Sequence, residues 1–199
     1  MTAADVDAVV DVHARAFPEY LLTHMGREYL RHYYAAFLSH SKHYAMVAEI
    51  DGRVVGFVAG TAAIERLNAR VYRPRIGVAL TVAIRFIADP VLRKYLLSKR
   101  EHFTKLLRVL ARRKTSRVAV SKIAERLLSI GVSPDSQRMG VAQALVSGFN
   151  KRLNADGIGT VGLSVRHDNA SGIAFYERTG WDRELADSNG IYYIRSTAS

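Results

Sequence analysis

The sequence predicts an α/β fold, on three observations. Residues 126–148 read as a strand, a polar turn and a helix. The run 127–132 is apolar and suits a strand buried on both faces, Ser133-Pro134-Asp135-Ser136 is turn chemistry, and Val141, Leu145, Val146 and Phe149 recur at helical spacing. Residues 160–166 form a second apolar strand that leads into another helical stretch. Asp51-Gly52 joins two apolar runs, 44–50 and 53–61, which is a strong hairpin signal. With 199 residues, 49% apolar and 24% charged, the chain reads as a single domain over 1–199 with a core of its own.

The remaining elements follow in order. Thr2-Ala3-Ala4-Asp5 has the form of a capping box before an amphipathic helix, with Val6, Val9, Val10 and His13 on one face and Pro18 beyond its end. Residues 16–26 connect to a second helix, from Arg27 to about His40, whose Tyr29, Tyr33, Tyr34 and Phe37 read as core packing. Gly56 and Gly60 inside the second hairpin strand mark a bulge or a close backbone approach. Residues 76–88 are almost wholly apolar, with Arg85 the one charge, and Asp89-Pro90 starts a further helix to about Arg113. A run of 13 is too short to span a bilayer, so this helix should bury itself on the core or on a second subunit, with the Lys/Arg face beyond it in solvent. Residues 182–186 and 191–195 close the chain as a hairpin.

The absence of cysteine excludes a disulfide framework, a thiolate nucleophile and Cys-ligated zinc. The net charge of +11 is concentrated: residues 66–126 hold 17 Lys/Arg against Asp89, Glu101 and Glu125, a local +14 that leaves −3 elsewhere. Met1 is followed at once by a helix pattern rather than a signal peptide. The expected location is the cytoplasm, with a peripheral place at the inner membrane surface left open by the basic segment.

The turn at 137–142, Gln-Arg-Met-Gly-Val-Ala, is where chemistry enters. The first amides of a helix lack partners and its dipole favours an anion, while Gly140 and Ala142 allow close approach to the backbone and Arg138 adds charge at the rim. An ordinary strand-turn-helix with a small-residue packing contact is the alternative. No Gly-Lys-Ser/Thr follows, so this is not a P-loop, and the glycines of a dinucleotide fingerprint are missing.

Taken with His167-Asp168-Asn169-Ala170-Ser171-Gly172-Ile173-Ala174-Phe175-Tyr176-Glu177-Arg178-Thr179-Gly180-Trp181, this turn resembles the GNAT family, the Gcn5-related N-acetyltransferases. The family's Q/R-x-x-G-x-G/A loop matches 137–142, with Ala142 in place of the commoner Gly. Its strand ending in Asn, followed by A-x-x-F-Y-x-x-x-G-F/W, matches 169–181. The resemblance covers roughly 118–195, and the F-P-x-x-L-L-x-x-x-G stretch at 17–26 is similar to a bacterial branch of the family.

The resemblance implies a GNAT fold: a central mixed, mostly antiparallel sheet flanked by helices. In this chain the N-terminal strand is short or absent, and a basic helical insertion at about 62–117 separates the third and fourth family strands. It implies acetyl-CoA as co-substrate and no metal. Ile130, Gly131 and Val132 would offer backbone groups to the pantetheine arm, and Gln137, Arg138, Met139, Gly140, Val141 and Ala142 would hold the pyrophosphate. Asn169 would hydrogen-bond the pantetheine, and Tyr176 would protonate the leaving thiolate. The family's base positions hold Arg126 and Ser164 here, so no base is implied. Glu19, His24 and Glu125, or a water relay, remain candidates, and Arg126 in an acceptor-facing phase suggests an acceptor carrying a carboxylate or phosphate. The implied reaction is direct acetyl transfer to the amine of a small molecule. One alternative is a carrier-protein or long-chain acyl donor at a membrane, with an anionic partner docked on the basic insertion. The other is a non-enzymatic nucleic-acid-binding protein, placed last because no zinc site or helix-turn-helix spacing supports specific nucleic-acid binding. A homodimer remains open.

Overall fold

The computed structural model describes residues 1–73, 76–90, 92–94, 123 and 125–198. β1 (His43–Ile50) and β2 (Arg53–Thr61) form the expected hairpin, and both turn residues, Asp51 and Gly52, have positive φ (50° and 71°), as a type I′ turn requires. β3 (Arg126–Val132) pairs antiparallel with β2, and β4 (Thr160–Val165) runs parallel to β3. β5 (Asp182–Asp187) and β6 (Gly190–Ser196) are the closing hairpin, giving a six-stranded sheet in the order β1-β2-β3-β4-β6-β5. The sheet is therefore mixed and mostly antiparallel, as expected.

Helices cover both faces. α1 (Val6–Ala16) opens from a 3-10 turn in which the Thr2 amide donates to the Asp5 carboxylate at 2.6 Å, the anticipated capping interaction. After the short α2 (Leu21–His24), α3 (Arg27–Ala36) packs beside α1, and their Val9, Val10, Tyr34 and Phe37 meet Phe57 and Ala59 of β2. On the opposite face, Leu145 and Phe149 of α6 (Val141–Ala155) and Tyr176 of α7 (Ala170–Arg178) pack against Val58, Leu127, Leu163 and Tyr193. The alternation of Phe57, Val58 and Ala59 between the two cores is the period-two rule of a strand buried on both sides.

Gly60 explains a local irregularity. Ala59 lies opposite Ser129 and Gly60 opposite Leu127, so Leu128 is an extra residue in β3. A side chain at Gly60 would run into the Phe149 ring and the Arg126 carbonyl oxygen, so both expected roles, bulge and close approach, meet at this glycine. The bulge also resets the pleat: Arg126 and Ser129, three apart, end on the same face, opposite Thr61 and Ala59 respectively.

The insertion departs from expectation. It begins with α4 (Ile64–Val71), a helix not anticipated from the sequence, which buries Leu67 and Val71. α5 (Ile76–Ala88) has the anticipated bounds but is only half covered. Val78 and Val82 pack on the α1/α3 core, whereas Ile76 (88% exposed), Leu80, Ile84 and Ile87 (75% exposed) face outward. A helix apolar on all sides can turn only one of them toward the core, so among the described residues α5 buries one side and leaves the other exposed. Asp89 then accepts from the Leu92 amide at 3.3 Å, a helix start as anticipated. The continuation to Arg113 lies outside the described residues.

α1 is fastened to α3 and β3 by a buried polar chain. His13, 2% exposed, has Nδ1 2.6 Å from the Tyr34 hydroxyl, which lies 3.2 Å from Ser129 Oγ. Burial depresses the His13 pKa to about 4, so the ring is neutral in the native state at pH 7. In the unfolded chain the same ring protonates near its ordinary value of about 6.5. Between these values the unfolded state binds the extra proton, so stability is full above about pH 6.5 and is lost as pH falls toward about 4. Urea titrations across this window should show His13→Gln losing less stability on acidification than wild type, by on the order of 3 kcal/mol. Parallel pH profiles for the two proteins would contradict the assignment.

Candidate functional site

The parallel pair β3/β4 is joined only at its start. Arg126 is registered with Gly162, and the Gly162 amide donates to the Glu125 carbonyl at 2.9 Å. Beyond that point β3 continues to Val132 and β4 to Val165 with no further pairing between them, so the strands part toward their carboxyl ends. β3 remains paired to β2 through Ile130, Gly131 and Val132, and its other edge faces the gap. A cavity of about 160 Å³ fills this gap. Leu127, Leu128, Ser129 and Ile130 form one wall, and Leu163, Ser164, Val165 and Arg166 the other. His13, Phe17, Tyr20 and Leu22 cover it from the α1 side, with Asn169 and Tyr176 completing the lining. A larger depression of about 400 Å³ beside α1 and the β1–β2 turn lies away from both sequence motifs except at Ser133, and does not share this lining.

At the parted end of β3, a 3-10 turn (Pro134–Ser136) leads to Gln137 and then to α6. Gly140 is the helix N-cap at φ +78°, Arg138 also has positive φ (64°), and no side chain caps the helix. The opening amides of α6 therefore lack acceptors among the described residues, and a Cβ at Gly140 would meet nothing within 4 Å. Open amides, the positive end of the helix dipole and the rim cation Arg138 fit a diphosphate. Gln137 turns its side-chain amide toward the Val132 carbonyl at 3.5 Å, and Met139 is exposed. Val141 and Ala142 sit in the first helical turn, with Val141 buried.

At the parted end of β4, Asn169 caps α7. Its Oδ1 accepts from the Gly172 amide at 2.9 Å and the Ser171 hydroxyl at 3.1 Å, leaving Nδ2 directed at the Tyr20 hydroxyl 3.5 Å away. Seven residues on, Tyr176 is buried against Phe175, Trp181 and Tyr193 while still lining the cavity. Burial pushes its phenol well above the ordinary range, so the hydroxyl is a proton donor at neutral pH. The Arg166 guanidinium lies 5.0 Å from the Tyr20 ring centroid and pairs with Asp168 at 2.9 Å through Nε, which props Tyr20 over the cavity.

The structure thus gathers Ile130, Asn169 and Tyr176 at one cavity and sets the turn 137–142 at the open end of the β3/β4 gap. Three other expected residues stand apart. Glu19 is exposed and does not line the cavity. His24 lies outside the lining too, with Nδ1 3.0 Å from Asp89, so it ties α2 to the insertion. Arg126 keeps the sheet face of Ser129 but is buried at the strand junction, 5.9 Å from the Tyr192 ring centroid and close to Gly162, below the cavity lining. Sequence reasoning missed His13, Tyr34 and Ser129. The available signal was a histidine in the apolar row of α1, the one polar member of that face.

Residues 116–181 match the family model described as Acetyltransferase (GNAT) family. Over 67 residues the chain is 39% identical to the [Ribosomal protein bS18]-alanine N-acetyltransferase of Escherichia coli (strain K12), a stretch spanning 34% of this chain and 44% of that protein. In fold it resembles SsHAT, at a TM-score of 0.61 and 22% identity over 100% of this chain and 96% of that one. It also resembles the PaiA N-acetyltransferase of Thermoplasma acidophilum, solved with coenzyme A, at a TM-score of 0.57 and 12% identity over 98% of this chain and 95% of that one. The matched residues carry both motifs, the parted strands and the helices α6 and α7; it is over residues 116–181, a third of the chain, that the protein is similar to the GNAT acetyltransferases.

Proposed function

We propose that the protein is an N-acetyltransferase that takes acetyl from acetyl-CoA and passes it to a small-molecule amine. The observation that carries this reading is the uncapped start of α6, with Gly140 as N-cap, at the open end of a strand gap that Tyr176 lines. The donor supplies a thioester whose carbonyl is attacked by the amine. The amides at 138–142 receive its diphosphate, and the free edge of Ile130, Gly131 and Val132 offers main-chain partners to an extended arm. Asn169 Nδ2 is a further donor in the gap. Tyr176 gives its proton to the departing sulfur. The acceptor enters under Phe17, Tyr20 and Leu22, which lie outside the family-matched residues 116–181. The alanine acceptor of the Escherichia coli relative is therefore not carried over to this chain, and the narrow cavity favours a small amine.

Two variants separate binding from chemistry. Gly140→Glu puts bulk and negative charge where the diphosphate sits, and calorimetry should show acetyl-CoA binding abolished in a protein with unchanged circular dichroism. Tyr176→Phe should hold acetyl-CoA affinity while acetyl transfer falls by about a hundredfold, the lower end of general-acid contributions. Undiminished binding by the first, or undiminished turnover by the second, removes that residue from the reading.

A second reading concerns location. The outward row Tyr72, Ile76, Leu80, Ile84 and Ile87 lies in a segment carrying a net +14, a combination suited to an anionic lipid surface. Among the described residues no helix is long and apolar enough to cross a membrane, so the contact would be peripheral. Co-sedimentation should show binding to phosphatidylglycerol vesicles that weakens with salt and is lost in Leu80→Asp/Ile84→Asp. Equal binding to phosphatidylcholine vesicles, or conversion of a dimer to monomer by the same substitutions, would contradict it.

A further inference from the structure

The acid of the proposed reaction has a residue, but its base does not. Among the described residues that line the cavity there is no carboxylate. What borders it instead is a buried polar chain whose two ends, His13 and Ser129, both belong to the lining. Ser129, partly exposed on the β3 wall, lies 3.2 Å from the Tyr34 hydroxyl, which lies 2.6 Å from His13 Nδ1. His13 is packed between Phe17 and Phe57, and its Nε2 is buried with no hydrogen-bond partner among the described residues. The ring borders the cavity, and among the described residues the hydrogen-bonded route from its Nδ1 back to the cavity wall runs through Tyr34 and Ser129.

Resting on the acetyltransferase reading, we propose that Ser129, Tyr34 and His13 form the proton-accepting relay for the acceptor amine. Ser129 is the catalytic residue that touches the amine, and Tyr34 and His13 act through it. As the amine nitrogen bonds to the acetyl carbon, its proton passes to Ser129 Oγ, the Ser129 proton to the Tyr34 oxygen and the Tyr34 proton to His13 Nδ1. The carbon–sulfur bond breaks with its electron pair on sulfur, which takes the Tyr176 proton. The cycle closes when His13 returns its proton through the same chain to solvent and Tyr176 regains one. Direction follows from the starting state: a neutral His13 with a free Nδ1 lone pair accepts from Tyr34, and Tyr34 accepts from Ser129. The nitrogen becomes strongly acidic once bonded to the acetyl carbon, so even a buried, weakly basic imidazole serves as the sink.

The test has two parts. Imidazole ¹⁵N spectra of the wild-type protein without donor should show His13 protonated at Nε2 and accepting at Nδ1, and a proton on Nδ1 would overturn the relay irrespective of any activity. In the second part, thiol release from acetyl-CoA is followed with ethylamine as the acceptor probe. Tyr34→Phe and Ser129→Ala should each lower the rate at least tenfold while calorimetric affinity for acetyl-CoA stays within twofold. In His13→Ala, added imidazole should restore part of the lost rate, which a purely structural role would not produce. Wild-type rates in Tyr34→Phe, or rate and affinity falling together in all three variants, would overturn the relay. A wild-type protein that fails to bind acetyl-CoA would instead overturn the acetyltransferase reading, and the calorimetry shows this before any variant is compared.

Discussion

The parting of β3 from β4 is the constraint on which the rest of the structure depends. A parallel pair normally continues while both strands last, because every unpaired main-chain group in the interior costs free energy. Here pairing ends at Arg126 and Gly162, although β3 runs on to Val132 and β4 to Val165. The main-chain groups left over face a cavity rather than a neighbouring strand. Such an edge is kept open by what flanks it, and both flanks are built from side chains near the junction. Arg126 fills the space at Gly162 where the strands separate, and Tyr20, held by Arg166 and Asn169, covers the mouth.

The bulge at Leu128 works with this separation. Without the extra residue, Arg126 and Ser129 would point to opposite faces, and Ser129 could not meet Tyr34 below the cavity. Gly60 makes the bulge possible, since any side chain there would collide with Phe149 and with the β3 backbone. One glycine on β2 thus decides which β3 side chains reach the α1 side of the sheet. The cost of this arrangement falls on α1, which brings a neutral histidine into a core of Phe17, Tyr34 and Phe57. That burial is what makes the fold sensitive to acid below the ordinary histidine range.

The strands and most helices were legible because local signals and burial agree in them. Asp51-Gly52 is found with both residues at positive φ, and 53–61 and 76–88 form regular elements at their expected bounds. The residues proposed to hold the donor are legible because they are continuous stretches, 137–142 and 169–176, each following one strand. The His13–Tyr34–Ser129 chain proposed to serve the acceptor is not legible, because it is assembled from α1, α3 and β3, segments up to 116 residues apart in the chain that the fold brings together. His13 and Tyr34 each read as members of an apolar face, and their pairing has no signature in spacing. Glu19 and His24 have suitable chemistry for a base, but Glu19 lies in the exposed turn before α2 and His24 pairs with Asp89, and neither lines the cavity. α4 carries a helical row, Ile64, Leu67 and Val71, but at eight residues it spans barely two turns, too short a window for periodicity to mark it.

The central claim, that the gap between β3 and β4 is the seat of the acyl donor, is tested most directly by amide hydrogen exchange with and without acetyl-CoA. The account predicts new protection in two places: at β3 amides among Ile130 to Val132 that face the gap, and at Arg138 to Ala142 at the start of α6. The β1–β2 turn should exchange unchanged. Protection at the depression beside α1 and the β1–β2 turn, with exchange at 130–132 and 138–142 unaltered, would contradict it.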